Sequence, residues 1–218
     1  MILVPVKNLS TAKQRLSTVL NGAERSALAE AMLEDVLHTL ARWTHRPPVA
    51  VVTSDPRARR LAEQFSFEII EDRVNQGESE AIAMATRICE ARGASDTVVL
   101  PGDIPFLQVS ELESIFAAAP AQGALLVPSA DGRGTNAALR RPPALFPLRF
   151  GDASFERHLR AARATGKPCA ILRLPGIALD IDTPADVALL LAAESRTRTQ
   201  RLLRAWNVRD PLLAASSR

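Results

Sequence analysis

Apolar and polar positions alternate on two length scales along this 218-residue chain. Short runs rich in valine, isoleucine and leucine are separated by longer stretches whose apolar residues recur at helical spacing. The first run, Ile2–Val6, predicts a strand. Between Glu24 and Ala41, residues Leu28, Met32, Val36, Leu37 and Leu40 share one face, which predicts an amphipathic helix. Pro47-Pro48 interrupts the chain before a second strand, Val49–Thr53. Ser54 or Asp55 ahead of Pro56 then starts a helix over Arg57–Gln64. Phe67–Glu71 reads as a third strand and Glu78–Ala91 as a helix. Thr97–Pro101 reads as a fourth strand, apolar throughout like one covered on both faces. A helix near Glu111–Ala118 follows.

This alternation predicts the α/β class, with a mostly parallel open sheet and helices on both faces. The second half is less regular. Strands are expected over Ala124–Val127 and Asn136–Leu139, around a glycine-rich turn at Asp131–Thr135, followed by a helix over Ser154–Ala164. Two further strands, Ala170–Leu174 and Ile177–Ile181, would join around Pro175-Gly176. Thr183-Pro184-Ala185-Asp186 combines a cap, a first-turn proline and a carboxylate at the positive helix end. One long helix is expected from there to about Trp206. No repeat or linker divides the chain, so a single domain over 1–206 is expected, with 207–218 as a loosely held tail.

Composition narrows the function classes. Hydrophobic residues make up 47% and charged residues 23%, which excludes a disordered chain. No apolar run approaches a membrane span, and MILVPVKNLS lacks the layout of a signal peptide, so a cytoplasmic protein is expected. Two cysteines, Cys89 and Cys169, are too few for a disulfide framework or a zinc cluster. The net charge of +3 suits anionic partners. Nucleic acid is disfavoured: aromatics are 4%, tyrosine is absent, and the arginines are spread among acids instead of forming one run. Of 27 basic residues only Lys7, Lys13 and Lys167 are lysine, and two of these lie in the first 13 positions. A compact ammonium on a flexible stem suits that loop; chance in a small sample is the alternative.

Open α/β sheets bind ligands at the carboxyl ends of their strands. Asp103 follows the fourth strand in Pro101-Gly102-Asp103, and Asp180-Ile181-Asp182 ends the last. Asp180 and Asp182, two apart on a strand, would point the same way. Carboxylates gathered in this manner call for a cation, and oxygen-only ligation suits Mg²⁺ shared with phosphate oxygens. The alternative is that Asp103 and Asp182 cap the helices that follow them. The loop from Lys7 to Arg15 offers three cations, Lys7, Lys13 and Arg15, for a polyphosphate, yet it is neither a Walker A loop nor a dinucleotide fingerprint. Without a ligand it is a solvated basic loop. Gly132-Arg133-Gly134-Thr135-Asn136 allows backbone to approach a ligand closely, or forms an Asp-Gly hairpin turn. Phe150-Gly151-Asp152-Ala153-Ser154 precedes a helix and could bind an anion there, or Asp152 could simply cap it. None of His38, His45 and His158 has a partner at triad or zinc spacing; His38 and His45 read as structural.

Taken together, VPVKNLSTAKQRL, LPGDIPFL, GRGTNAAL, RFGDASFERHL and LDIDTPADV resemble, in that order, the guanylyltransferases of deazaflavin coenzyme F-420 biosynthesis, which act on 2-phospholactate or phosphoenolpyruvate. The resemblance runs from residue 1 to about residue 190. It implies a nucleotide-diphosphosugar-transferase-like fold and transfer of GMP from GTP to a small phosphorylated carboxylate, with release of pyrophosphate. By motif, Asp103, Asp180 and Asp182 match magnesium-binding aspartates. Thr135, Gly151 and Ser154 match residues that hold the phosphorylated acid, and Lys7, Lys13 and Arg15 match the loop near the nucleotide phosphates. Where the family usually reads GLNAA, this chain has Gly77-Glu78-Ser79-Glu80-Ala81, in a region expected near the base. A homodimer, paired through the apolar stretch Val187 to Leu203, and hand-over of product to a following enzyme are compatible expectations. The competing readings are a nucleotidyltransferase acting on a sugar phosphate or the molybdopterin cofactor, and a non-catalytic nucleotide-binding module.

Overall fold

The computed structural model describes residues 1–73 and 76–208. Seven strands form one sheet: β1 (Ile2–Val6), β2 (Val49–Thr53), β3 (Glu68–Glu71), β4 (Thr97–Val99), β5 (Gly123–Pro128), β6 (Thr135–Arg141) and β7 (Cys169–Ile171). Their spatial order is β3-β2-β1-β4-β6-β5-β7. Only β6 runs against its neighbours, β4 and β5; the remaining pairings are parallel, as the βα alternation of the first half requires. The chain winds outward from β1 to β3 and then returns to place β4 on the other side of β1. The carboxyl ends of β1 and β4 therefore flank a topological switch point, where such sheets leave a crevice.

The period-two pattern of the strands divides the core into two layers. Ile2, Val4, Val51, Val98 and Leu139 face one side, against α1 (Gly22–Arg42), α2 (Pro56–Gln64) and α4 (Val109–Ala118). Leu3, Val52, Val99 and Ala138 face the other, against α3 (Glu78–Ala91) and α5 (Ser154–Ala164). Each fully buried leucine or isoleucine contributes about 1.5–3 kcal/mol, so this two-sided burial is the main force holding the sheet. Helix starts follow the sequence signals: Asn21 and Glu24 form a reciprocal capping box on α1, and Asp55 caps α2 ahead of Pro56.

Two expectations from the second half need correction. Ile177–Ile181 is not a strand. Pro175–Ala178 forms a single helical turn, α6, and residues 179–183 cross the sheet end without a ladder partner. Proline starts the turn, and the Gly176 N–H is held by Glu111 Oε1 at 2.7 Å. The apolar alternation is real, because Ile177 and Ile181 are fully buried, but the Ile181 N–H donates to the Asp103 carbonyl and the Ile177 carbonyl accepts from the Asn136 side chain, so neither joins a strand ladder. The last helix is also two helices, α7 (Pro184–Ala192) and α8 (Arg198–Ala205). Thr197 and Gln200 form a capping box that starts α8 anew, while Gln200 Nε2 donates to the Leu190 and Ala193 carbonyls and so closes α7. Within the stretch Val187 to Leu203, residues Val187, Leu190 and Leu203 are buried in this chain's own core, while Leu189 is exposed. Of the expected tail, Val208 N–H closes α8 on the Leu203 carbonyl, and 209–218 lie outside the described residues.

Candidate active site

Beyond β1 the chain crosses the sheet end in two tight turns, Leu9–Thr11 and Gln14–Leu16. Asn8 caps the first turn through Ser10 N–H, and Leu9 N–H donates to Asp55 Oδ2 at 2.8 Å, which ties the loop to the start of α2. Lys13, between the turns, has φ 56° and ψ 42°. A left-handed conformation in a non-glycine residue costs about 1–2 kcal/mol and calls for a compensating contact. That contact is electrostatic: Lys13 Nζ lies 2.5 Å from Asp103 Oδ2 and 2.6 Å from Asp182 Oδ1. Burial by itself would lower the lysine pKa, but the two carboxylates outweigh it and hold the ammonium above its ordinary value.

Asp103, Asp180 and Asp182 do converge, although no strand aligns them. Ile181 N–H donates to the Asp103 carbonyl at 3.2 Å, joining the two segments directly. Asn136 Nδ2 donates to Asp180 Oδ1 and to the carbonyls of Ile177 and Ala178, each at 3.0 Å. Asp186 Oδ2 accepts from Asp182 N–H at 3.1 Å and Thr183 N–H at 2.7 Å. Neither Asp103 nor Asp182 is a cap; Gln108 precedes α4 and Thr183 caps α7. The Asp180 carboxyl is pushed up by burial, then by Asp103 and Asp182, against the pull of Asn136. Asp103 Oδ1 is buried with no hydrogen-bond partner among the described residues. Lys13 occupies the gap between Asp103 and Asp182, and among the described residues no three His, Cys, Asp or Glu side chains are already spaced as ligands of one ion.

Two cavities meet at this cluster. One, of about 270 Å³, is lined by Lys7, Asn8 and Lys13 with Ala29 and Leu33 of α1. The other, of about 530 Å³, is lined by Arg15, Thr135, Gly151, Ser154, Asp180 and Asp182. Glu78, Pro101 and Asp103 line both. The three basic residues expected around one polyphosphate are thus divided, Lys7 and Lys13 in the first cavity and Arg15 in the second. Thr135, Gly151 and Ser154 stand together as the motif implies. Thr135 N–H donates to Ser154 Oγ at 3.1 Å, and Gly151, with φ 110°, turns the chain so that its carbonyl accepts from Ser154 N–H. The residue before α5 is Ala153, with no side-chain cap; Asp152 is at the surface, paired with Arg133 at 2.7 Å. The Asp-Gly turn is present as well, joining β5 to β6 at the cavity edge.

Four residues here carried no sequence signal strong enough to single them out as site residues. Glu78, in the first turn of α3, has its carboxyl pushed up to about 7 by burial and then by Asp103, with Lys7 opposing. Asn136 and Asp186 hold the aspartate segment as described. His158, which is fully buried, lies behind Thr135: its Nδ1 is 2.9 Å from Thr135 Oγ1, and its Nε2 accepts from Arg149 N–H at 2.7 Å. The usable clues are that Asn136, His158 and Asp186 fall inside the motif blocks GRGTNAAL, RFGDASFERHL and LDIDTPADV, and that Glu78 lies in the segment Gly77–Ala81 that departs from GLNAA.

Known proteins resemble this chain over most of its length. The family model described as guanylyl transferase CofC like matches residues 1–211. A phosphoenolpyruvate guanylyltransferase of Sphaerobacter thermophilus is 36% identical over 185 residues, covering 84% of this chain and 88% of the relative. A 2-phospho-L-lactate guanylyltransferase of Methanothermobacter thermautotrophicus is 31% identical over 202 residues, covering 93% and 88%. Among solved structures, a protein of Desulfovibrio desulfuricans G20 assigned as a nucleotide-diphospho-sugar transferase superposes with a TM-score of 0.76 at 20% identity over 94% of both chains. At that identity the likeness speaks for the fold. No helix among the described residues is long and apolar enough to cross a membrane. With its switch-point crevice, its gathered aspartates and these relatives, the chain is a nucleotidyltransferase and belongs to the CofC-like guanylyl transferase family.

Proposed function

We propose that this enzyme moves GMP from GTP onto the phosphate of a small phosphorylated carboxylate, releasing pyrophosphate, as a cytoplasmic step of coenzyme F-420 biosynthesis. The observation that carries this is the meeting of two cavities at Asp103, with Lys7 and Lys13 in one and Thr135, Gly151 and Ser154 in the other. The first suits the nucleotide and the second the acceptor, so that the acceptor phosphate reaches the α-phosphorus at their shared border. The attacking oxygen is already ionised and needs no general base; the obstacle is repulsion between two polyanions. The relatives' names supply the acceptor classes, phosphoenolpyruvate and 2-phospho-L-lactate; 3-phosphoglycerate has the same chemistry.

The residues fit a bound Mg²⁺. The donors are all oxygen, Asp103 Oδ1 is buried without a partner, and three carboxylates outnumber the single ammonium of Lys13. Mg²⁺ is usually held by one or two carboxylates together with substrate phosphates, so a ready-made protein cage is not required. Asp103, Asp180 and Asp182 would hold it, and bound there it would offset phosphate charge. Lys7 and Lys13 neutralise the triphosphate from the loop side. Arg15, Thr135, Ser154 and the Gly151 backbone orient the acceptor.

Pyrophosphate release tests this, with GTP or ATP, each of the three acceptors in turn, and Mg²⁺ present or withheld. GTP with one of the acids and Mg²⁺ should give release. Release that needs no acceptor, or none with any acid, would overturn the assignment.

A further inference from the structure

The hydrogen bonds around His158 determine which of its nitrogens carries the proton, and through it the polarity of a hydroxyl in the acceptor cavity. A backbone N–H can only donate. Arg149 N–H points at His158 Nε2 at 2.7 Å, so Nε2 must present a lone pair. A neutral imidazole then carries its hydrogen on Nδ1, where it faces Thr135 Oγ1 at 2.9 Å. The imidazolium is excluded on the same ground, since a second N–H at Nε2 would confront the Arg149 N–H. Burial, with Arg157 and Arg140 adding to it, keeps the ring neutral down to about pH 4. Thr135 Oγ1 therefore accepts from His158. Its other neighbour, Ser154 Oγ, is 3.5 Å away, too far for a strong bond. Ser154 Oγ in turn accepts from Thr135 N–H.

We propose that His158 is a positioning residue: by donating from Nδ1 it occupies the acceptor side of Thr135 Oγ1 and leaves the threonine O–H to donate into the cavity, toward an anionic oxygen of the acceptor. A phosphate or carboxylate offers almost only acceptors, so a hydroxyl held as a donor binds it and one turned the other way repels it. This rests on the assignment of the Thr135 cavity to the acceptor. His158 touches no substrate; it acts through Thr135 and, by accepting from Arg149, through the segment that leads into Gly151.

Two measurements test it on the full chain. Nitrogen NMR of histidine-labelled protein at neutral pH should show His158 protonated at Nδ1 alone; a ring protonated at Nε2, or charged, overturns the proposal whatever the reaction. Kinetics and calorimetric binding with phosphoenolpyruvate then compare His158→Asn, whose amide nitrogen can take the Nδ1 place, with His158→Gln, whose amide reaches only the Nε2 place. His158→Gln should raise the acceptor KM and Kd by about tenfold, the value of one hydrogen bond to a charged group, with the GTP KM unchanged. His158→Asn should stay within about threefold of the wild type. Equal effects of the two variants, or an effect on GTP instead, overturn the positioning role. A wild type that uses no phosphorylated acid would instead sink the functional assignment, and the NMR result would stand apart from it.

Discussion

At the scale of single residues the site is a problem in charge. Lys13 is strained and buried, and it spans Asp103 and Asp182. Lys13→Met should leave those carboxylates facing each other across its place. Because they are 30% and 42% exposed, solvent screens much of the repulsion and the stability cost should be about 1–3 kcal/mol by urea melts. The same variant should raise the GTP KM. Asp103→Asn keeps the shape and removes the charge, and should cost about a hundredfold or more in kcat with a near-normal melting curve. Turnover close to the wild type would show that Asp103 holds no ion during the reaction. His158 gives a pH signature. Its ordinary value of 6.5 falls to about 4 in the fold, because burial opposes the charged ring. The unfolded chain therefore binds the extra proton first, so the contribution is complete above about pH 6.5 and is lost as pH falls toward about 4. Urea midpoints across that range should fall more steeply for the wild type than for His158→Gln.

At the scale of elements, the first half of the molecule is legible because β1, β2 and β4 are apolar runs and α1 and α2 carry their own start signals. The second half was misread where local pattern and pairing part company. Ile177 and Ile181 alternate like strand residues, yet the edge strand β7 ends at Ile171 and offers them no ladder. The break between α7 and α8 was in principle readable, since Thr197 with Gln200 is a capping-box pair in the middle of the supposed helix. What secures the break is tertiary: Asp35 of α1 accepts from the backbone of Arg198 and Thr199 at 2.8 and 2.9 Å. The turn α6 carries the aspartate segment, and it is tightly packed. A Cβ on Gly176 would lie 2.4 Å from the Phe106 carbonyl and 2.5 Å from Glu111 Oε2. Gly176→Ala should therefore destabilise the fold by about 1–3 kcal/mol and lower kcat by displacing Asp180 and Asp182. A variant with unchanged melting and turnover would show that α6 does not govern the aspartates.

At the scale of the whole molecule, an excess of basic residues does not make the crevice basic. The chain carries a net charge of +3, but Asp103 and Glu78 line both cavities, and Asp180 and Asp182 line the second. A triphosphate entering alone meets carboxylates as well as lysines. GTP affinity measured by calorimetry should then fall about tenfold or more when EDTA replaces Mg²⁺. Affinity indifferent to the metal would contradict the ion assigned to the aspartates. The sequence by itself determined the class of fold, the placing of most helices and strands, and the motif blocks that mark the family, because apolar period, caps and motifs are local properties of the chain. Tertiary structure alone decided the rest. It set Lys13 between two aspartates 90 and 169 positions away, sent Arg15 to a different cavity from Lys7, and brought His158 and Asn136 behind the residues they orient. Such contacts depend on how the sheet stacks distant loops at one end, and no local spacing encodes the distance between them.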